Sequence, residues 1–221
     1  MNILDAVIIT ILIVGVLGGM SRGLIKQAVL LIGLVVCLVL AFSLRTPIAT
    51  FMYEYLPFFK FGGLFSGVSI INILLYELIA FLIIFSLLYL VLRILLKITG
   101  IIEKILDMTI ILGFFSKIGG GIVGFIEAYI IVFVFLFVCS QPFIRVTGLE
   151  TSKVGNFILD KTPVMSGAIE DTRKAINEVY TLTTKYKNDK NKLNQETIKL
   201  FIKYDIITEE NVQKLREKGK L

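Results

Sequence analysis

The chain opens on two long apolar stretches with almost no polar interruption. Ile3 to Met20 carries one charge, Asp5, near its start, and Leu24 to Leu44 carries none after Lys26. Each stretch holds about 20 residues, enough at about 1.5 Å per residue for a hydrocarbon core of about 30 Å. Only Ser21–Gly23 separates them, which predicts a tight hairpin of two helices. The first stretch lacks a basic leader and a small-residue cleavage site, so it reads as a retained helix rather than a signal peptide. A third apolar run, Val68 to Leu92, encloses Asn72 and Glu77 and is closed by Arg93 and Lys97. A fourth, Ile118 to Gln141, encloses Glu127 and is stopped by Pro142.

The segments between these runs have their own patterns. Thr46-Pro47 is expected to end the second helix. Aromatics follow densely (Phe51, Tyr53, Tyr55, Phe58, Phe59, Phe61 and Phe65), as rings do at the headgroup level of a bilayer. Ile101 to Lys117 carries Glu103, Lys104 and Asp107, too much charge to cross, and reads as a separate interfacial or re-entrant helix. Beyond Pro142 the chain turns polar. Asn188–Asn191 breaks a helical region, and Thr208-Glu209-Glu210-Asn211 reads as a capped helix start with acids in its first turn. Leu200, Phe201, Tyr204, Ile207, Val212 and Leu215 form an apolar seam between two short tail helices, a core too small to be stable alone. The predicted fold is all-α: a polytopic membrane bundle of about four transmembrane helices with interfacial or re-entrant segments and a small helical tail. The expected division is a transmembrane domain at 1–144 and an extramembrane, extracytoplasmic tail at 145–221.

Composition sharpens this picture. Residues of hydrophobic type make up 56% of the chain, and its mean hydropathy is +0.86, beyond ordinary soluble domains. Of the 23 Lys/Arg and 17 Asp/Glu, only eight and six precede Pro142. The net charge of +6 forms no uniform basic stripe, because bases alternate with acids in the tail (Lys174, Glu178, Lys185, Asp189), so nucleic acid is not an expected partner. With no histidine and only Cys37 and Cys139, both inside apolar runs, zinc sites and histidine general-base catalysis are excluded. No metal, cofactor or catalytic residue is expected. With the N-terminus outside, the cytoplasmic loops carry Arg22, Lys26, Arg93, Lys97, Lys104 and Lys117, which favours N-out and C-out.

Within the spans, small residues recur every fourth position: Gly15, Gly19 and Gly23, then Ser116, Gly120, Gly124 and Ala128, and more weakly Gly33, Cys37 and Ala41. Such faces let helix backbones approach closely in lipid, where apolarity alone gives no driving force. Glu77 and Glu127 are the candidates for a mechanism, since an intramembrane carboxylate costs several kcal/mol, roughly, unless paired, protonated or wetted. Both fall at similar expected depth. Two readings stand: a shared polar site with Asn72 that handles a proton or small cation, and protonated glutamates bonded to neighbouring helices. Asp5 and Arg45 are expected near one face as an interfacial pair. Arg22, Lys26, Arg93 and Lys97 read as topology anchors that face lipid headgroups.

The hairpin sequence GGMSRGLIKQ (Gly18 to Gln27), running into Leu30–Phe42 with its internal Gly33, resembles the colicin V production (CvpA) family. LGFFSKIGGGIVGFIEAY (Leu112 to Tyr129) is similar to that family's glycine-repeat entry to its fourth helix. The resemblance covers Met1 to about Thr162, with Arg22, Gly23, Gly33, Gly120 and Gly124 at the matching positions. It implies a non-enzymatic, multi-pass bacterial inner-membrane protein, an accessory or scaffold linked to toxin production or export and to envelope homeostasis. The expected partners are the lipid bilayer, a membrane or secretion-machinery protein, and further copies of the chain. The alternative function is a small oligomeric transporter or channel using Glu77 and Glu127.

Overall fold

The computed structural model describes residues 2–98, 101–141, 144, 148–163 and 165–221, with 64, 101–113 and 168 described by their backbone alone. Among them are eight α-helices and no strand: α1 (Ile3–Arg22), α2 (Leu24–Tyr55), α3 (Ile71–Ile98), α4 (Ile101–Cys139), α5 (Lys153–Lys161), α6 (Met165–Lys185), α7 (Lys190–Lys203) and α8 (Glu209–Glu217). Four segments are long and apolar enough to cross a membrane: α1, α2, α3 and Phe114–Cys139 of α4. The chain is a polytopic helical protein, as its hydropathy pattern predicts.

Two boundaries differ from the sequence expectation. Thr46-Pro47 does not end the second helix; α2 continues through Pro47 to Tyr55. A proline inside a helix costs about 3 kcal/mol through one lost hydrogen bond and a clash. Beyond it, Ala49 and Tyr53 are buried in the core of the second unit, and this packing offsets the local break. Likewise, Ile101–Lys117 is not a separate helix, because α4 runs unbroken from Ile101 to Cys139. The three glycines at 119–121 weaken helix propensity by about 1 kcal/mol each. Gly120 sits where the backbone of α1 approaches, and this tertiary contact holds the helix together. The side chains of Glu103, Lys104 and Asp107 and the expected stop at Pro142 lie outside the described residues.

The contacts resolve into two compact units. One comprises Met1–Ser43, Leu82–Ser140 and Val146–Asp160; the other comprises Leu44–Phe81, Gln141–Arg145 and Lys161–Leu221. In the first, α1 packs along α4, and exposed Ile, Leu, Val and Phe side chains cover the outer faces. Such a surface suits lipid rather than water. In the second, a buried core joins Ala49, Tyr53, Phe65 and Ile70–Tyr76 to Ile176, Val179, Leu193, Phe201, Val212 and Leu215. The expected tail seam is thus present, with Leu200, Phe201, Ile207, Val212 and Leu215 buried and Tyr204 packed at the edge. It is not a core by itself, because the end of α2 and the start of α3 complete it.

The last two tail helices begin on capping side chains: Thr208 as the sequence predicts, and Asp189 within the 188–191 break. Asp189 accepts from the Lys192 amide at 2.9 Å to start α7, and Thr208 accepts from the Asn211 amide at 3.3 Å to start α8.

Candidate functional site

The α1–α2 turn and the glycine-rich part of α4 form a closely packed junction in the first unit. Gly23 ends α1 at φ +79°, a conformation that disfavours any side chain, and its N–H bonds the Gly19 carbonyl at 3.0 Å. α4 lies directly against this turn. A Cβ added at Gly19 would sit 2.8 Å from the Gly124 Cα, and one at Gly120 would sit 2.8 Å from the Gly23 carbonyl carbon. Gly15 likewise faces Gly124 and Ala128. The two every-fourth-residue repeats therefore face each other, backbone on backbone. Gly33 has a different neighbour: a Cβ there would lie 2.5 Å from a methyl of Leu92 on α3.

Polar groups surround the same junction. Ser116 Oγ accepts from the Leu24 amide at 3.1 Å, satisfying an N–H that α2 leaves open at its first residue. Gln27, fully buried, donates through Nε2 to Glu127 and accepts from the Arg22 guanidinium at 3.3 Å. Arg22 also pairs with Glu127 at 3.7 Å. One carboxylate, one amide and one guanidinium thus form a closed network of opposite charges, the condition under which buried polar groups cease to be a large penalty.

The remaining predicted residues have other partners. Glu77 accepts from Arg45 Nε at 2.7 Å, within the second unit. Asn72, fully buried, donates to the Phe59 and Ser69 carbonyls at 3.1 and 3.0 Å and accepts from the Phe59 amide at 2.8 Å. Glu77 and Glu127 thus each have a cationic partner within their own unit, Arg45 and Arg22 respectively. The buried Asp5 carboxylate accepts from Ser152 Oγ at 2.6 Å, from the Val154 amide at 3.1 Å in the first turn of α5, and from the Asn2 amide at 3.0 Å. Of the basic anchors, Lys26 is half-buried, Arg93 stacks over Tyr89 and bonds its hydroxyl at 3.0 Å, and Lys97 is exposed. Cys37 and Cys139 are buried free thiols.

Three features escaped the sequence reading: Gln27 as the bridge, Ser116 as a cap for another helix, and a C-terminal clasp. In the clasp, Lys220 Nζ donates to the carbonyls of Tyr53, Glu54 and Leu56 at 2.8, 2.7 and 2.8 Å, where α2 ends, and Lys218 pairs with Glu54 at 3.1 Å. Desolvation and the neighbouring Lys218 hold the Lys220 ammonium below the ordinary lysine range. Only Gln27 had a signal of its own, a polar residue one turn inside an apolar run.

Among the described residues, four long apolar helices and a glycine junction between α1 and α4, with every described buried side-chain polar atom partnered, define a multi-pass helical membrane protein. Residues 4–163 match the family described as Colicin V production protein, and the chain belongs to that family. The match includes both segments of the junction. No curated protein and no solved structure matches the chain.

Proposed function

We propose that this protein is a non-enzymatic accessory or scaffold of the bacterial inner membrane, serving toxin production or export and envelope homeostasis. One observation carries the reading. The two segments on which the family resemblance rests, Gly18–Gln27 and Leu112–Tyr129, meet each other, and their polar side chains bond to each other. Chemistry directed at packing is what a scaffold requires. In this reading the N-terminus faces outward, with Arg22, Lys26, Arg93 and Lys97 on the cytoplasmic side and in contact with anionic headgroups. Further copies of the chain or a membrane protein of the secretion machinery are its partners. The test is purification in mild detergent: a secretion or envelope protein co-purifies with the wild type, and recovery of the chain alone under all conditions counts against the scaffold.

A small transporter or channel is the second reading, because Glu77 and Glu127 each keep 13% of the side chain exposed. Reconstitution into liposomes decides it. Proton or cation flux that disappears in Glu77→Ala and Glu127→Ala supports it, and absence of flux from the wild type under every gradient removes it. Reporter fusions in the Gly62 loop settle the orientation without disturbing the C-terminal clasp.

A further inference from the structure

The exposed apolar surface of the four long helices differs in length. It runs from Ile3 to Met20 on α1, from Leu82 to Ile98 on α3, and from Phe114 to Phe135 on the part of α4 whose side chains are described. At 1.5 Å per residue these runs measure about 26, 24 and 32 Å, close to one hydrocarbon core of about 30 Å. On α2 exposed apolar side chains extend from Leu24 to Tyr55, about 47 Å. Val36, Leu40, Leu44, Ile48, Phe51 and Tyr55 follow one another at helical steps of three or four residues, so the stripe is continuous over its second half, through Pro47 to the helix end. To fit 47 Å into the hydrocarbon, α2 would lean by about 50°, outside the usual range of about 0–40°.

The far end of the stripe also changes chemistry. Its most exposed large apolar residues are aromatic: Phe51 at 63%, Tyr55 at 66% and Phe59 at 55% exposure, against 41% for Ile48 and Leu56, with the Phe51 and Tyr55 rings 4.8 Å apart. The Lys218 ammonium lies 4.5 Å over the Tyr55 ring, and Lys60 is exposed beside Phe59. The other rings of this segment turn inward: Tyr53 and Phe65 are buried, and Phe58 and Phe61 pack on the core of the second unit. The aromatic segment is therefore divided between a protein-facing set and an outward set. Outward rings beside lysines, continuous with a lipid-facing stripe, match the boundary between acyl chains and headgroups.

We propose that Ile48–Phe59 is an interfacial phospholipid-binding surface, with Phe51, Tyr55 and Phe59 seated at the acyl–headgroup boundary of the leaflet at that end of α2. Lys60 faces the lipid phosphates, while Lys218, paired with Glu54 at 3.1 Å, covers the Tyr55 ring. The proposal does not rest on the scaffold reading. It does rest on the apolar helices spanning a bilayer, which the experiment checks separately.

The sequence contains no tryptophan, so single-tryptophan variants report without background. Phe51→Trp, Tyr55→Trp and Phe59→Trp are reconstituted into phosphatidylethanolamine–phosphatidylglycerol vesicles whose acyl chains carry bromine near the headgroup or near the chain terminus. Leu90→Trp on α3 serves as the hydrocarbon marker and Phe201→Trp as the marker of protein burial. The three interfacial tryptophans are expected to lose more intensity to shallow bromine than to deep bromine and little to acrylamide, with Leu90→Trp showing the opposite depth preference. Strong acrylamide quenching without bromine quenching places the rings in water and overturns the proposal. Quenching by neither agent, as in Phe201→Trp, means that a second copy or a protein partner covers them, and overturns it equally. Loss of bromine quenching in Leu90→Trp removes the spanning reading instead. Three positions read one surface, so a single variant that fails to fold leaves the outcome decided by the other two.

Discussion

Gly18 and Gly19 are neighbours on α1, and adding the same methyl group at each should have opposite effects. At Gly18 an added Cβ meets nothing within 4 Å. Gly18→Ala should therefore stabilise α1 by about 0.5–1 kcal/mol through the entropy difference between glycine and alanine in a helix. At Gly19 the added Cβ would collide with the Gly120 carbonyl oxygen and lie 2.8 Å from the Gly124 Cα, both backbone atoms that cannot swing aside. Ordinary contact begins near 3.4 Å, so the Gly124 Cα alone requires α1 and α4 to part by 0.6 Å, and the nearer Gly120 oxygen requires more. A gap of about 0.5–1 Å forfeits roughly a quarter to a half of each dispersion contact along the seam. Overpacking of this kind costs about 1–3 kcal/mol, against the same helix-propensity gain of about 0.5–1 kcal/mol. Between the two variants the net difference is therefore about 1–3 kcal/mol, because the propensity gain is common to both and cancels. Reversible denaturation of the detergent-solubilised protein, followed by helical circular dichroism, measures it. Equal stability of the two variants, or greater loss from Gly18→Ala, would refute the assignment of the α1–α4 seam.

Three further outcomes follow from the polar contacts. Glu127→Leu leaves the buried Gln27 amide without its acceptor and should destabilise by about 1–3 kcal/mol, with the Gln27→Leu/Glu127→Leu double variant recovering part of the loss; an additive cycle in the same denaturation assay argues against the network. Lys220→Met removes three charge-assisted bonds from the end of α2 and should cost about 1–3 kcal/mol, seen as earlier proteolysis of the Leu44–Phe81 region; an unchanged digestion profile rejects the clasp. The Tyr204 hydroxyl, with Lys203, holds the Glu178 carboxyl below its ordinary value of 4.5. A depressed carboxylate contributes stability above its unfolded value and loses it as pH falls through the folded one, so wild type should lose more thermal stability than Tyr204→Phe on acidification below 4.5. Parallel acid profiles for the two proteins would dismiss this pair.

Legibility varied with the kind of interaction. Gly15, Gly19, Gly120 and Gly124 could be read as packing positions because small residues at helical spacing have few other uses in lipid. Their mutual pairing could not be read, since Gly33 carries the same signature and meets Leu92 instead. Thr208 was readable as a cap because a cap acts within three residues of itself. Ser116, which caps a helix that begins 92 positions away, was not. The Asn2 and Asp5 pair closes a local capping box, while the same carboxylate also binds Ser152 and the first turn of α5.

Number and approximate placement of spans, the tight first hairpin and the amphipathic tail were determined by the chain's own pattern, because hydrocarbon thickness and helical rise translate directly into residue counts. Only the tertiary structure decided the partners of Glu77 and Glu127, the passage of α2 through Pro47, the continuity of α4 and the completion of the tail core by α2 and α3. The physical reason is common to these cases. Solvent preference is a property of each segment alone, whereas pairing, helix persistence past a breaker and core completion depend on which surface comes to lie opposite. A partner distant in sequence leaves no local mark.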